Sequence, residues 1–140
     1  MWMQSLRSLA RAGGFALLAA SAPLACEDIT AVQEDGSFQL QVGDRARSGD
    51  FVVRFLSVPQ DSRCPYDVVC GWAGDAVVRL DLSTDHWADV VELHLNSSQG
   101  PDSEEMDGHV VEFLDLSPAP YTGRSIPQYQ YIARLRVTHF

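Results

Sequence analysis

The sequence predicts one all-β domain, an antiparallel β-sandwich or barrel-like fold of about six to seven strands, behind an N-terminal signal peptide. Three observations predict it. From Ser37 onward, apolar and polar residues alternate with period two in segment after segment. Clusters of Gly, Pro, Asp and Ser punctuate those segments at short intervals. No segment after the N-terminal apolar run carries convincing helical periodicity, and no internal repeat is present. Alternation, as opposed to unbroken apolar runs, also argues for antiparallel pairing with one wet face. At 140 residues the chain has room for one domain with a real core.

The elements follow in order. Residues 37–42 (SFQLQV) alternate cleanly and read as a strand. Gly43-Asp44 begins a turn and Ser48-Gly49-Asp50 ends it. Residues 51–58 (FVVRFLSV) are β-branched and aromatic, with Arg54 on the outer face and Pro59 as the stop. After the cysteine loop, residues 76–82 (AVVRLDL) alternate with Arg79 and Asp81 outward. Residues 87–95 (WADVVELHL) read as a strand, because Val91, Leu93 and Leu95 alternate with Glu92 and His94. Residues 96–108 (NSSQGPDSEEMDG) read as a long polar loop, and residues 109–116 (HVVEFLDL) as another strand. Residues 117–128 hold three prolines and read as loop. Residues 129–140 close the chain as a long strand, with Tyr131, Ala133, Leu135 and Val137 on one face.

The N-terminal quarter differs in kind. Arg7 and Arg11 form a basic start, and an apolar run of small residues and leucines follows from Gly13 to Ala25. That is the layout of a secretory signal, and the run is short for a membrane span. The signal is taken as residues 1–25. It is similar to a bacterial lipoprotein signal, in which Leu24-Ala25-Cys26 leaves Cys26 for lipid attachment. Pro23 departs from that pattern, standing where such signals usually carry Leu, Val or Ile. The alternative cut after Ala20-Ser21-Ala22 would place Pro23 just beyond it. Residues 26–36, polar and without alternation, read as a tether to a domain spanning 37–140.

Charge and cysteine usage agree with export. All ten basic residues are Arg, and two of them lie in the signal. The remainder carries eight Arg against nineteen acids, a net −11. Such a surface repels nucleic acid and anionic lipid. With Cys26 lipidated, Cys64 and Cys70 remain as an even pair, which an oxidising compartment closes into a disulfide. So short a ring contributes roughly 2 kcal/mol through loop-closure entropy.

The stretch DSRCPYDVVCGWAGDA, residues 61–76, is the most distinctive in the chain. Pro65 stiffens the ring, and Gly71 and Gly74 permit unusual backbone angles after it. Trp72 is expected to lay its face over the disulfide or the sheet edge. A zinc site would need a compact set of Cys and His ligands, whereas His86, His94, His109 and His139 are scattered singly and read as surface residues. A catalytic cysteine would have to stay reduced beside its partner. Asp61, Asp67 and Asp75, and the four acids of residues 101–108, offer oxygen ligands of the kind calcium takes, although a solvated acidic loop is the commoner explanation and no EF-hand spacing is present. No cofactor is expected, and no nucleophile elbow, phosphate loop or metalloprotease helix occurs. Trp87, Tyr121 and Tyr129 are expected at the edge of the core.

The residues Asp61-Ser62-Arg63-Cys64-Pro65, Val69-Cys70 and Trp72-Ala73-Gly74-Asp75-Ala76 resemble a group of small bacterial exported proteins and lipoproteins that share a DSRCP…C-x-WAG-[DE]-A core. Leu116-Ser117-Pro118 and the Tyr-led final strand fit the same group, and Gly71 departs from it, since a bulkier apolar residue is usual there. The resemblance implies export and a β domain. It carries no catalytic residue.

The expectation is a non-enzymatic cell-envelope lipoprotein, anchored to a membrane through Cys26. It would be a binding or structural module for an unknown protein or glycan, with no nucleic-acid partner. The motif loop, Asp61, Arg63, Pro65, Trp72, Gly74 and Asp75, is its candidate site. The alternative is a secreted peptidase inhibitor, periplasmic or extracellular, that presents loop 61–75 with Arg63 at a protease cleft. A hydrolase is a third reading.

Overall fold

A computed structural model describes Ile29–Thr30 and residues 33–140. The expected signal peptide, Cys26 and part of the expected tether lie outside these residues. The described chain is an all-β sandwich of two packed sheets. Its strands are β1 (Ile29–Thr30), β2 (Ser37–Gln41), β3 (Arg45–Ser48), β4 (Phe51–Asp61), β5 (Ala76–Ser83), β6 (Ala88–His94), β7 (Ser103–Met106), β8 (His109–Ser117) and β9 (Ile132–His139). One sheet has the order β1-β3-β4-β5-β6 and the other β2-β9-β8-β7. Every pairing is antiparallel except β1 with β3.

Alternation places the core where it was expected. Phe51, Val53 and Phe55 on β4, Val78, Leu80 and Leu82 on β5, and Ala133, Leu135 and Val137 on β9 are buried between the sheets with Tyr131. Leu40, Leu93, Val111 and Phe113 complete the layer. Arg54 and Arg79 lie outward, as their phase along the strands requires.

Five elements differ from the sequence reading. Residues 45–48 are strand β3, not turn, because a four-residue strand with two Arg shows little apolar periodicity. The polar segment 96–108 contains β7, whose Ser103–Met106 pairs with Glu112–His109 across a two-residue turn. Asp107 (φ 50°) and Gly108 (φ 77°) supply the left-handed angles of that hairpin, so Glu104 and Glu105 lie on a strand and Asp102 and Asp107 flank it. Strand β4 runs through Pro59 to Asp61. Register shifts between Phe55, Ser57 and Gln60 break the ladder there, and a proline without an N–H is tolerated. The expected tether is not wholly free, since Ile29–Thr30 pairs with Arg45–Ala46. The final strand begins later than expected, after a single 3-10 turn at Gln128–Gln130.

His109 is also not a surface residue. Its ring is buried, stacked on Phe51 at 4.7 Å and edge-on to His139. Its Nδ1 donates to the Asp107 carbonyl at 3.0 Å.

The two ends of the sandwich are distinct. One holds the β3–β4, β5–β6 and β7–β8 turns. The other, termed here the loop pole, holds residues 62–75 and 118–131. Phe55 lies fully buried between the sheets. Phe55→Ala is expected to lower stability by about 3–5 kcal/mol. Urea unfolding reads this directly, and an unchanged midpoint would contradict the placement of β4 in the core.

Candidate functional site

Strand β4 ends at Asp61 and β5 begins at Ala76, which pair with each other across the base of the loop. Between them the chain must reverse over fourteen residues without a ladder to satisfy its backbone. The charged motif residues solve that problem. Arg63 turns back on Asp61 with two parallel bonds, Nε to Oδ1 at 2.8 Å and Nη2 to Oδ2 at 2.7 Å. The same guanidinium donates to the carbonyls of Leu116 and Pro118, the latter at 2.9 Å, at the end of β8 on the other sheet. The Tyr131 hydroxyl, beside the start of β9, donates to Asp61 Oδ2 at 3.0 Å. The ion pair is nearly buried, with side chains 11% and 9% exposed.

This geometry sets the titration of the pair. Burial raises the Asp61 carboxyl, but the hydrogen bonds and charge of Arg63, with the Tyr131 hydroxyl, outweigh it and hold the carboxyl below its ordinary range. Burial, then the adjacent Asp61 charge, pushes Tyr131 up to about 12.

The second foot of the loop is held by Asp75. Its backbone carbonyl accepts from Ser62 N–H at 2.7 Å. Its carboxylate takes His94 Nδ1 at 2.7 Å and the Asn96 N–H at 2.9 Å. Gly74 stands at φ +69°, where a Cβ would lie 1.9 Å from the Ser62 carbonyl oxygen. Only glycine lets the two legs of the loop approach this closely.

Further out, Cys64 and Cys70 are bonded, with Cα atoms 5.9 Å apart. The ring is fastened sideways to the β8–β9 connection: Tyr66 N–H donates to the Pro120 carbonyl at 2.8 Å, and Thr122 N–H to Asp67 at 2.9 Å. That bond lowers the Asp67 carboxyl below its usual range. The connection itself carries a cis Ser117–Pro118 peptide.

The apolar side chains of the loop point away from all of this. Trp72 is 87% exposed and Tyr66 75%, while Val69 is fully exposed and Val68 partly so. Trp72 therefore does not cover the disulfide or the sheet edge as expected. The Gly74 crossing and the Cys64–Ala73 backbone bond turn it outward. Tyr121 extends the patch, its ring 5.7 Å from that of Tyr66 and under the Arg124 guanidinium. Tyr121 and Tyr129 are exposed too, as is Trp87 at the opposite end, so none sits at the edge of the core. Beside Trp72 an open cleft of about 270 Å³ runs between Gln60, Ser62, Asp75 and Gln99.

The structure thus divides the predicted site. Asp61, Arg63, Gly74 and Asp75 fix the loop from beneath, Pro65 lies in the ring, and Trp72 is displayed. Arg63 cannot enter a protease cleft while its guanidinium bridges the sheets. Asp61, Asp67 and Asp75 each serve a different protein donor, and no group of three or more metal-ligating side chains gathers among the described residues. Sequence reasoning missed Tyr66, Val68 and Val69, and it placed Tyr121 at the edge of the core. The signal was present: a ring of five residues cannot bury three large apolar side chains within itself. It also missed His94, Asn96 and Tyr131, whose partnership with the motif arises only in space. No family model, curated protein or solved structure matches the chain.

Two outcomes follow. Gly74→Ala is expected to cost about 2 kcal/mol or more, through the left-handed angle and the Ser62 contact. Gly71→Ala, where a Cβ meets nothing within 4 Å, is expected to be silent in the same thermal melts. Asp61→Asn is expected to cost on the order of 3 kcal/mol at neutral pH. Because folding lowers the Asp61 carboxyl, its stabilisation is present above the unfolded value of about 3.9 and is lost as pH falls through the folded value. Wild type and variant are therefore expected to converge in urea titrations at the acid end. A gap that persists there would remove the charge from the explanation.

Proposed function

We propose that the chain is a non-enzymatic lipoprotein of the cell envelope, tethered through Cys26, whose disulfide-held loop 61–75 is its contact surface. One observation carries the reading. Trp72, Tyr66 and Val69 are displayed on a loop whose backbone is fixed by a disulfide, a two-sheet ion pair and sideways hydrogen bonds. Large rigid aromatics on a preorganised loop contribute contact area at small entropic cost. The charged groups beneath are spent on one another, which suits holding a shape more than transferring a proton. The Cys64–Cys70 bond is compatible with export.

The tether is tested by the intact mass of the protein purified from its own envelope. A chain beginning at Cys26, plus acyl groups and less two hydrogens for the disulfide, is the expected result. An unacylated chain with another start would overturn the lipoprotein.

A secreted peptidase inhibitor is the second reading, and the exposed convex segment Tyr66–Val69 favours it. On that reading Val69, not Arg63, meets the protease. Inhibition by the domain would be lost in Val69→Asp and kept in a charge-neutral change elsewhere on the surface. A broad protease panel without inhibition removes this reading.

A further inference from the structure

We infer that the cleft beside Trp72 is a saccharide site: a neutral sugar ring stacks on the Trp72 indole while the amides of Gln60 and Gln99 hydrogen-bond its hydroxyls. The inference rests on the reading of loop 61–75 as a contact surface and names the chemistry of what that surface takes.

The cleft has two walls. One carries Gln60, near the end of β4, and Ser62; the other carries Asn96 and Gln99, in the turn after β6. The walls are joined beneath. Ser62 Oγ donates to the Asp75 carbonyl at 3.1 Å, and Asn96 Nδ2 donates to the Gly74 carbonyl at 3.1 Å. The turn that presents Gln99 is closed on itself. Gln99 N–H donates to the Asn96 carbonyl at 2.8 Å, and Ser98 Oγ donates to Asn96 Oδ1 at 2.7 Å. The site is therefore formed before a ligand arrives, and little ordering opposes binding.

The groups left for a ligand are of one kind. Asp75 is the one ionisable residue in the described lining. It is buried, and each carboxylate oxygen already accepts a protein donor, from His94 Nδ1 or the Asn96 N–H. Ser62 and Asn96 are engaged in joining the walls. The primary amides of Gln60 and Gln99 remain, exposed and without a side-chain hydrogen bond among the described residues. Each amide sets a donor beside an acceptor. Neighbouring sugar hydroxyls, each donor and acceptor at once, meet that requirement.

Trp72 supplies the apolar half of the contact. It stands at the rim of the cleft, 87% exposed. The negative face of its ring attracts the polarised C–H groups along one side of a pyranose. At about 270 Å³ the cleft lies just below the roughly 300–1,000 Å³ of drug-sized ligand sites, so it suits a single sugar unit with the rest of a chain in solvent. An apolar anchor from a protein would leave both amides unpaired. An anion finds no cation in the described lining and meets a strongly negative chain.

The full chain is titrated by calorimetry with cellotetraose, maltotetraose, mannotetraose and chitotetraose, and with tetragalacturonate as the acidic control. Oxidation by N-bromosuccinimide, read by mass on the peptide that holds each Trp, reports the site. At least one neutral saccharide is expected to bind and to protect Trp72, while Trp87 at the opposite end stays as reactive as before. Tetragalacturonate is expected to protect neither. Trp72→Ala is expected to weaken binding at least about tenfold. Gln60→Ala and Gln99→Ala are expected to weaken it about two- to tenfold each. All three side chains are exposed, so the thermal midpoints are expected to stay unchanged. An affinity that Trp72→Ala leaves intact would overturn the proposal, as would a Trp72 equally reactive with and without every saccharide. Trp72 shielded by the cell's own envelope fraction but by no saccharide removes the sugar and keeps the contact surface. Trp72 open to the reagent in both removes the sugar and the contact surface together.

Discussion

The guanidinium of Arg63 ties the end of β4 to the end of β8 at the loop pole. A charge this close to burial must be matched bond for bond, or the cost of removing it from water stands uncompensated. Asp61 matches it from the end of β4, and the carbonyls of Leu116 and Pro118 match it from the end of β8. Those strands belong to different sheets. The pairing therefore joins the two layers where no ladder can join them, and it fixes the angle at which the loop departs. Tyr131 adds a third strand to the same carboxylate. The disulfide, the Gly74 crossing and the Asp75–His94 pair refine a course that this bridge has already set.

The loop is built in reverse of the domain. In the sandwich, apolar side chains face inward and polar ones face water. In the loop, the ionic and hydrogen-bonded groups lie beneath, and Tyr66, Val69 and Trp72 lie outside. Exposed apolar groups gathered in this way exceed what a solvated surface needs. Local rules are broken at one place while the supporting structure is over-determined around it, and this is the pattern expected where a surface has work to do.

Much of the architecture was legible because the physics was local. The phase of β9 followed from four alternating residues, and β4, β5 and β8 from similar runs. The short strands were not legible. Strands β3 and β7 are polar edge or near-edge elements whose ladder bonds, not their apolar residues, define them. The extension of β4 through Pro59 depended on a bulge that only the partner strand reveals. For the site, the spacing of Cys64 and Cys70 revealed the disulfide and pointed to a rigid loop. The clasp between Asp61, Arg63 and Tyr131 spans 70 residues of sequence. The outward turn of Trp72 depends on backbone angles at Gly74 that composition permits but does not dictate. Sequence showed which residues were unusual, and folding decided which of them hold and which of them face outward.

The strand β7 has a consequence of its own. It closes one sheet with four residues, and Glu104 and Glu105 sit at that margin beside Asp102. An open margin is a template onto which a second molecule can add its own strand, and short charged margins refuse that addition. At high local concentration even weak strand addition would propagate. Like charges facing across that margin oppose such addition, so this edge of the sheet is built against growth into a fibre.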